Sequence, residues 1–413
     1  MLKDCMEERE MLMVDYQIGF GKAALPLSET DLPLGEFDQI DTPLITRCIW
    51  LKGPVSAAII SFELTALRPE AVASLQAQAA NALGCPLNQV WITVTHSFSS
   101  PHLPSIASKD PHRNQVMKQA LTQSLNEAIT AAQQDLQAFE LSQQIITCPL
   151  NVNRNLQTPA GWWLGANYTG YSNHDLRLLA FKQMNGHIGM LTNYDLQSSV
   201  LDHLKNSAGT RTIDHDLVGR ASALIELAHP GWLAMFVTGA AGDQMPLWQG
   251  KASQSYAQNV ALCKSQAEVL TTCILQGLAK ADHWQSLNHF STQIVSFQVP
   301  QQVRQMGTFE LKPTHHFDFV NNGKMIDLTL NVWHFNDVLF IATQPELNSE
   351  FADKCRQTLK SPQAMIATLV NGAAKYLPTA GDYERCTYQA MNADIGFGGD
   401  TAFMQVIKKI KEG

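Results

Sequence analysis

The chain is 413 residues long, 45% apolar and 16% charged, with a formal net charge of −8 at neutral pH. That balance fits a globular protein with a sizeable core, and it argues against a nucleic-acid partner, which is usually met by a basic face. The acidic start MLKDCMEEREMLMVDY lacks the basic end and apolar run of an export signal, and no stretch reaches the roughly 20 apolar residues of a spanning helix, so a cytoplasmic protein without an integral membrane segment is expected.

Ser56–Leu67 (SAAIISFELTAL) reads as a buried strand, and Pro69–Leu83 as a helix with proline in its first turn. Val90–Thr95 is a β-branched strand, Gln115–Phe139 a long helix rich in Ala, Leu and Gln, and Ile145–Val152 a further strand. Leu178–Gln183 and Ile188–Tyr194 read as a hairpin around Asn185-Gly186. Asp216–Ala228 is helical, Leu233–Thr238 is a strand running into Gly239-Ala-Ala-Gly242, and Ser253–Ala279 is a second long helix. Later strands are expected at Thr292–Val299, Met325–Leu330, Val338–Thr343 and Ala364–Val370, with helices at Asn348–Leu359 and Thr401–Lys411. Mixed strand and helix order predicts an α/β (mixed α+β) fold with a large sheet. The length would allow two or three domains, but no Pro/Gly/Ser-rich joint divides the chain, so residues 1–413 read as one domain. The eight cysteines, from Cys5 to Cys386, are scattered without a CxxC pair. Zinc-ribbon and redox motifs are therefore not expected, and most of these thiols read as small buried hydrophobes.

Open sheets place ligands at the C-terminal ends of strands, and four such ends carry polar groups. His96 follows VWITVT and reads as a metal ligand or general base, or else as a cap on the strand end. Asp195 ends a largely apolar strand, where a carboxylate is costly to bury unless paired or metal-bound; an Asx-turn cap is the plainer reading. Asp243 closes the small-residue loop after Thr238, which lets backbone approach an anion or oxyanion, or it caps a helix. The absence of Gly-Lys-Ser/Thr there excludes a P-loop. Glu346 follows VLFIATQP, either as a metal ligand or as an acidic helix start.

In order and spacing, these segments resemble the neutral/alkaline ceramidase family over about the whole chain. Ile18-Gly-Phe-Gly-Lys-Ala-Ala is similar to that family's VGVGRADIT, Val94-Thr-His96-Ser-Phe98-Ser-Ser-Pro101 to ATHTHSGP, and Asn153-Arg154-Asn155 to NRSP. Asn193-Tyr-Asp195-Leu-Gln-Ser-Ser199 falls on FAVHGTS, Gly242-Asp243-Gln-Met245-Pro246 on GDxSPN, and Gln344-Pro-Glu346-Leu347 on PGEF. Tyr376, within Asn371–Thr379, falls on a tyrosine preceding (V/I)TT. The resemblance implies a catalytic domain of large mixed β-sheets flanked by helices. It also implies hydrolysis at a zinc ion held by two His, a Glu and a Tyr. Carried over by position, the ligands are His96, Asp195, Glu346 and Tyr376, with Arg154 beside the substrate. Asp195 stands where the family has His, Phe98 replaces the second His of its His-Thr-His, and Met245 replaces a Ser. The family's secreted members carry an immunoglobulin-like C-terminal domain, for which no counterpart is expected here.

The expected activity is attack of metal-activated water on an amide (N-acyl) or ester bond of a small molecule. Arg154, Tyr376, Asp195 and Asp243 are the catalytic candidates: Arg154 and Tyr376 to steady the oxyanion, and Asp195 or Glu346 to handle the proton. Met245 excludes a serine nucleophile at its position. Zn²⁺ is the expected ion, with Mn²⁺ or Mg²⁺ the alternatives because Asp195 stands in place of a His; His203 or His215 is an alternative nitrogen donor. A non-catalytic chain of the same fold, binding a metal or ligand without turnover, is the competing reading. A serine hydrolase using Ser97, Ser99 or Ser100 lacks a GxSxG elbow. Trp162, Trp163, Tyr168 and Tyr171 either stack on a substrate or pack within their own loop. His315 and His316 are adjacent on one segment and read as structural.

Overall fold

The computed structural model describes residues 16–103, 110–304 and 311–412, so Cys5 and nearly all of the acidic start lie outside the described residues. A nine-stranded sheet runs in the order Leu233–Thr238, Ile188–Tyr194, Asp175–Gln183, Gln137–Thr147, Gln17–Ala24, Ile45–Lys52, Ala57–Phe62 and Val90–Val94, with Gln285–Ser286 added alongside Gln137–Thr147. A four-stranded sheet is formed by Phe290–Val303, Val320–Phe335, Val338–Ala342 and Met365–Ala367. Most neighbours are antiparallel, but Ile188–Tyr194 with Leu233–Thr238, Ala57–Phe62 with Val90–Val94, and Val338–Ala342 with Met365–Ala367 are parallel. The mixed α/β expectation holds.

The two sheets share one core. Alternate residues of a strand face opposite sides, and the sequence LAMFVT obeys this. Leu233, Met235 and Val237 join residues of the four-stranded sheet such as Trp333, Phe340 and Met365. Ala234 and Phe236 face helices Asp216–Ala228 and Tyr256–Ala279. Trp91 of one sheet stacks on Trp333 of the other with ring centroids 3.8 Å apart. Helices Pro69–Leu83 and Pro111–Gln134 cover the other half of the large sheet's outer face. Helices Ser349–Leu359 and Gly399–Glu412 cover the four-stranded sheet. The layering is helix, sheet, sheet, helix.

Local sequence explains several boundaries. The strand expected over Ser56–Leu67 stops at Phe62, where Glu63 turns inward to the buried Arg47. The helix expected over Gln115–Phe139 begins at Pro111, whose missing N–H costs nothing in a first turn, and it ends at Gln134. Its expected last residues belong instead to strand Gln137–Thr147. Cys148-Pro149 splits the expected strand Ile145–Val152 between two different sheets, since proline has no N–H for the ladder. Gly19 and Gly21 let strand Gln17–Ala24 lie directly against helix Pro111–Gln134, where a methyl group would overlap the carbonyls of Ala132 and Ala128.

Candidate functional site

The C-terminal ends of the parallel strands meet at one place and are stitched together there. Thr238 Oγ1 donates to Val94 O at 3.1 Å, and Thr368 Oγ1 donates to Gly239 O at 2.7 Å. Gly242 N donates to Leu347 O at 2.9 Å, and Glu346 N to Lys375 O at 2.7 Å. With Gly239 N donating to Tyr194 O at 2.9 Å, these bonds bring the ends of the strands at Val94, Tyr194, Thr238 and Ala342 together with the segment bearing Tyr376.

His96 sits two residues past its strand with a left-handed backbone, φ 56°. Its ring is buried, and Nδ1 lies 2.6 Å from Thr65 O. A carbonyl can only accept, so Nδ1 carries a proton. Nε2 is buried without a hydrogen-bond partner and faces Glu346 Oε2 at 3.4 Å. Burial alone would raise the Glu346 carboxyl, but His96, Arg154 and Lys375 outweigh it and hold the group below the usual glutamate range. Glu346 and Tyr376 are joined by a parallel backbone bridge.

Arg154 enters from strand Asn151–Thr158, its backbone N held by Asp243 O at 2.8 Å. Nε and Nη2 both donate to Gly242 O (3.1 and 2.7 Å), Nη2 also donates to the Tyr376 hydroxyl (3.1 Å), and Nη1 donates to Gln197 Oε1 (3.2 Å). A guanidinium has five N–H groups, so one on Nη1 is left over. Burial and the nearby Glu346 push the Tyr376 phenol well up, against the pull of Arg154.

Asp195 does not join this group. Its Oδ1 accepts the Ala240 N–H at 2.7 Å and its Oδ2 accepts the Ser349 hydroxyl at 2.8 Å. Gly239 packs against the same carboxylate, where any side chain would collide with Oδ1. The buried charge expected to be matched by an ion is met by hydrogen bonds at the start of helix Ser349–Leu359. Asp243 belongs to the same network. Its Oδ1 accepts from Ser349 N and Gln244 Nε2, both at 2.9 Å, and its Oδ2 accepts from Asn153 Nδ2 at 3.0 Å. Burial, with Asp382 and Asp195 adding, raises its carboxyl to about 7. It caps no helix of its own, since strand Gln244–Pro246 follows it; its carboxylate meets the start of a distant one instead.

The residue that reaches the site from the loop after Tyr194 is Gln197, which sequence reasoning missed. It is 2% exposed. Its Nε2 donates to Ala241 O at 3.0 Å and to Glu346 Oε2 at 3.3 Å, while its Oε1 accepts from Arg154. Nothing in its residue type signals this; its place two residues after Asp195 in a buried loop is the one usable clue. Phe98 sets its ring edge-on to His96 at 4.7 Å. His203 is exposed beside Asp202, and His215 faces Glu63 at 3.7 Å, so neither is placed as a substitute donor. Ser97 Oγ donates to His215 O, Ser99 Oγ to Asp216 and Ser100 Oγ to Ser97 O, and none of the three bonds to His96. Tyr388 stands edge-on between Tyr376 and Trp163, at 6.1 and 5.7 Å, and Arg385 covers Trp162 at 5.0 Å. Tyr168 is open to solvent. His315 Nε2 bonds to Pro159 O, and His316 pairs with Asp318, both at the surface.

Among the described residues no three His, Cys, Asp or Glu side chains are grouped to hold a metal ion. A set of one imidazole, one carboxylate and one phenol is nevertheless compatible with an ion that keeps an open position. Two ligands on one tetrahedral zinc, each at about 2.0–2.2 Å, stand roughly 3.3–3.6 Å apart. The partnerless His96 Nε2 and Glu346 Oε2 have that separation, 3.4 Å.

The fold so assembled is a mixed α/β sandwich carrying a buried polar centre at its converging strand ends. It is shared by the crystal structure of neutral ceramidase from Pseudomonas aeruginosa: the TM-score is 0.75 at 14% identity, covering 97% of this chain and 75% of that one. A structure described as ceramidase complexed with C2 matches at TM-score 0.76 and 13% identity, covering 97% of this chain and 75% of that one. The chain thus has the neutral ceramidase fold. No family model and no curated protein matches it. Among the described residues, no helix is long and apolar enough to cross a membrane.

Proposed function

We propose that this chain hydrolyses the amide bond of a small N-acyl compound at the His96–Glu346–Tyr376–Arg154 centre. The observation that carries the reading is the partnerless, buried His96 Nε2 facing Glu346, beside a guanidinium with one N–H to spare. His96, Glu346 and Tyr376 would hold a divalent ion, zinc by preference. When bound, such an ion supplies Lewis acidity and makes a water more acidic.

The chain's own groups account for the rest of the chemistry. The spare Arg154 N–H and the Tyr376 O–H point donors at the place where a carbonyl oxygen gains charge. One free N–H suits a single oxyanion and is too few for a forked grip on a carboxylate or phosphate. As a water oxygen bonds to the carbonyl carbon, its proton passes to the ionised Glu346 carboxylate. The carbon–nitrogen bond then breaks, and the amine leaves with that proton. Asp195 and Asp243 position this machinery. Asp243 holds the Arg154 backbone, and both carboxylates grip Ser349 in the helix that follows Glu346.

A second reading, ligand or metal binding without turnover, draws on Gln197, whose amide occupies both Arg154 and Glu346. Metal content of the untagged protein, with a panel of amides and esters assayed with and without chelator, separates the two. The hydrolase reading expects about one ion per chain and chelator-sensitive amine release. Stoichiometric ion with no product from any substrate would leave the binding reading; rates untouched by the chelator would remove the ion from the chemistry.

A further inference from the structure

Arg154 and Gln197 form one wall of a cavity of about 220 Å³, and Phe98, Leu164, Met245 and Gln249 form much of the remainder. Its walls are pinned. Phe98 is tied at both ends, its N–H donating to Ser198 O at 3.0 Å and its carbonyl accepting from Arg211 Nη2 at 2.8 Å. Gln249 Nε2 donates to Ser199 O. Met245 is in register with Val152 in a strand pair. These bonds fix the backbone that carries Phe98 and Met245, so the filling of the space is decided by the side chains standing on it.

Sites for drug-sized ligands run from about 300 to 1,000 Å³, so this one takes something smaller. Its lining also limits charge. Arg154 is the one cation on the wall among the described residues and has a single N–H free, while Asp202 contributes a carboxylate already paired with Arg211 at 3.2 Å. An anionic group entering would meet that carboxylate and find no fork to hold it.

We infer that the site selects a neutral amide with a short acyl group, of a few carbons, and rejects long-chain N-acyl lipids; the inference rests on the hydrolase reading for the identity of the bond. Met245 and Leu164 are then the specificity-determining residues, because theirs are the aliphatic side chains on its lining.

The test uses the full chain and acetyl, butyryl and decanoyl amides of one amine, together with an N-acetyl amino acid and its neutral methylamide. Binding is followed by calorimetry and turnover by amine release. Acetyl and butyryl amides are expected to bind at least about tenfold more tightly than the decanoyl amide, the scale on which apolar pockets discriminate. The methylamide is expected to bind better than the free acid. Met245→Ala, and separately Leu164→Ala, should each narrow the gap between acetyl and decanoyl. Decanoyl binding as tight as acetyl, preference for the free acid, or no binding by any member overturns the inference. The expected binding order without amine release from any member keeps the cavity inference and removes the hydrolase reading.

Discussion

Arg154 spends four N–H bonds on Gly242, Tyr376 and Gln197 to present a fifth. Lysine carries the charge but only three donors on a flexible stem, so Arg154→Lys should leave both the Tyr376 hydroxyl and Gln197 short of a partner. Steady-state kinetics on the best substrate of the panel should show kcat lower on the order of 10²-fold with KM little changed. An unchanged kcat would remove Arg154 from oxyanion stabilisation. Part of this site could be read from residue types at strand ends, since His96 and Glu346 lie where open sheets place ligands; Arg154, inside strand Asn151–Thr158, comes only with the family resemblance. Asp195 could not be read correctly, because a buried carboxylate is satisfied equally well by an ion or by N–H and O–H groups at a helix start. The sequence does not say which way a loop turns. For the same reason Gln197, an uncharged amide in that loop, gave no sign of its role.

Helix Ser349–Leu359 begins on two carboxylates, and one of them carries a pH signature. Burial raises Asp243 from the usual 3.8 to about 7. A folded-state value above the unfolded one means the folded protein binds the proton more tightly. That contribution to stability is full below about pH 4 and is lost as pH rises through about 7. Asp243→Asn cannot titrate, so its Tm should fall less than that of the parent across this window. Parallel Tm curves would show that Asp243 titrates alike in both states. At the opposite face, Gly21 meets the Ala128 carbonyl without a side chain between them. Gly21→Ala forces strand and helix apart and should cost about 1–3 kcal/mol, read from urea midpoints. Unbroken apolar runs, such as Leu233–Thr238, are legible from sequence. The ends were less so, since Pro111 and Pro149 act as punctuation whose effect depends on the neighbouring strand. The long partners Phe290–Val303 and Val320–Phe335 run past their apolar segments because pairing continues through polar residues.

At the scale of the molecule, the two sheets are held by one core with Trp91 on Trp333 near its middle. Trp333→Ala should cost about 3–5 kcal/mol, and fluorescence and circular dichroism should lose structure in the same urea transition if the layers unfold as one unit, as the single-domain expectation requires. Two separated transitions would break that expectation. The layering itself was legible only as a mixed α/β composition, because no local pattern tells a strand which of two sheets it will join. The left-handed backbone at His96 has a consequence for how such a chain changes over generations. That conformation is disfavoured for an L-residue by about 1 kcal/mol, and glycine or asparagine occupies it more comfortably. An imidazole kept there is held against the preference of the local backbone. Once selection for the reaction lapses, drift at this position runs toward the more comfortable residues, so an ancestor-to-descendant comparison should find His96 among the earliest losses in any lineage that abandons catalysis while keeping the scaffold.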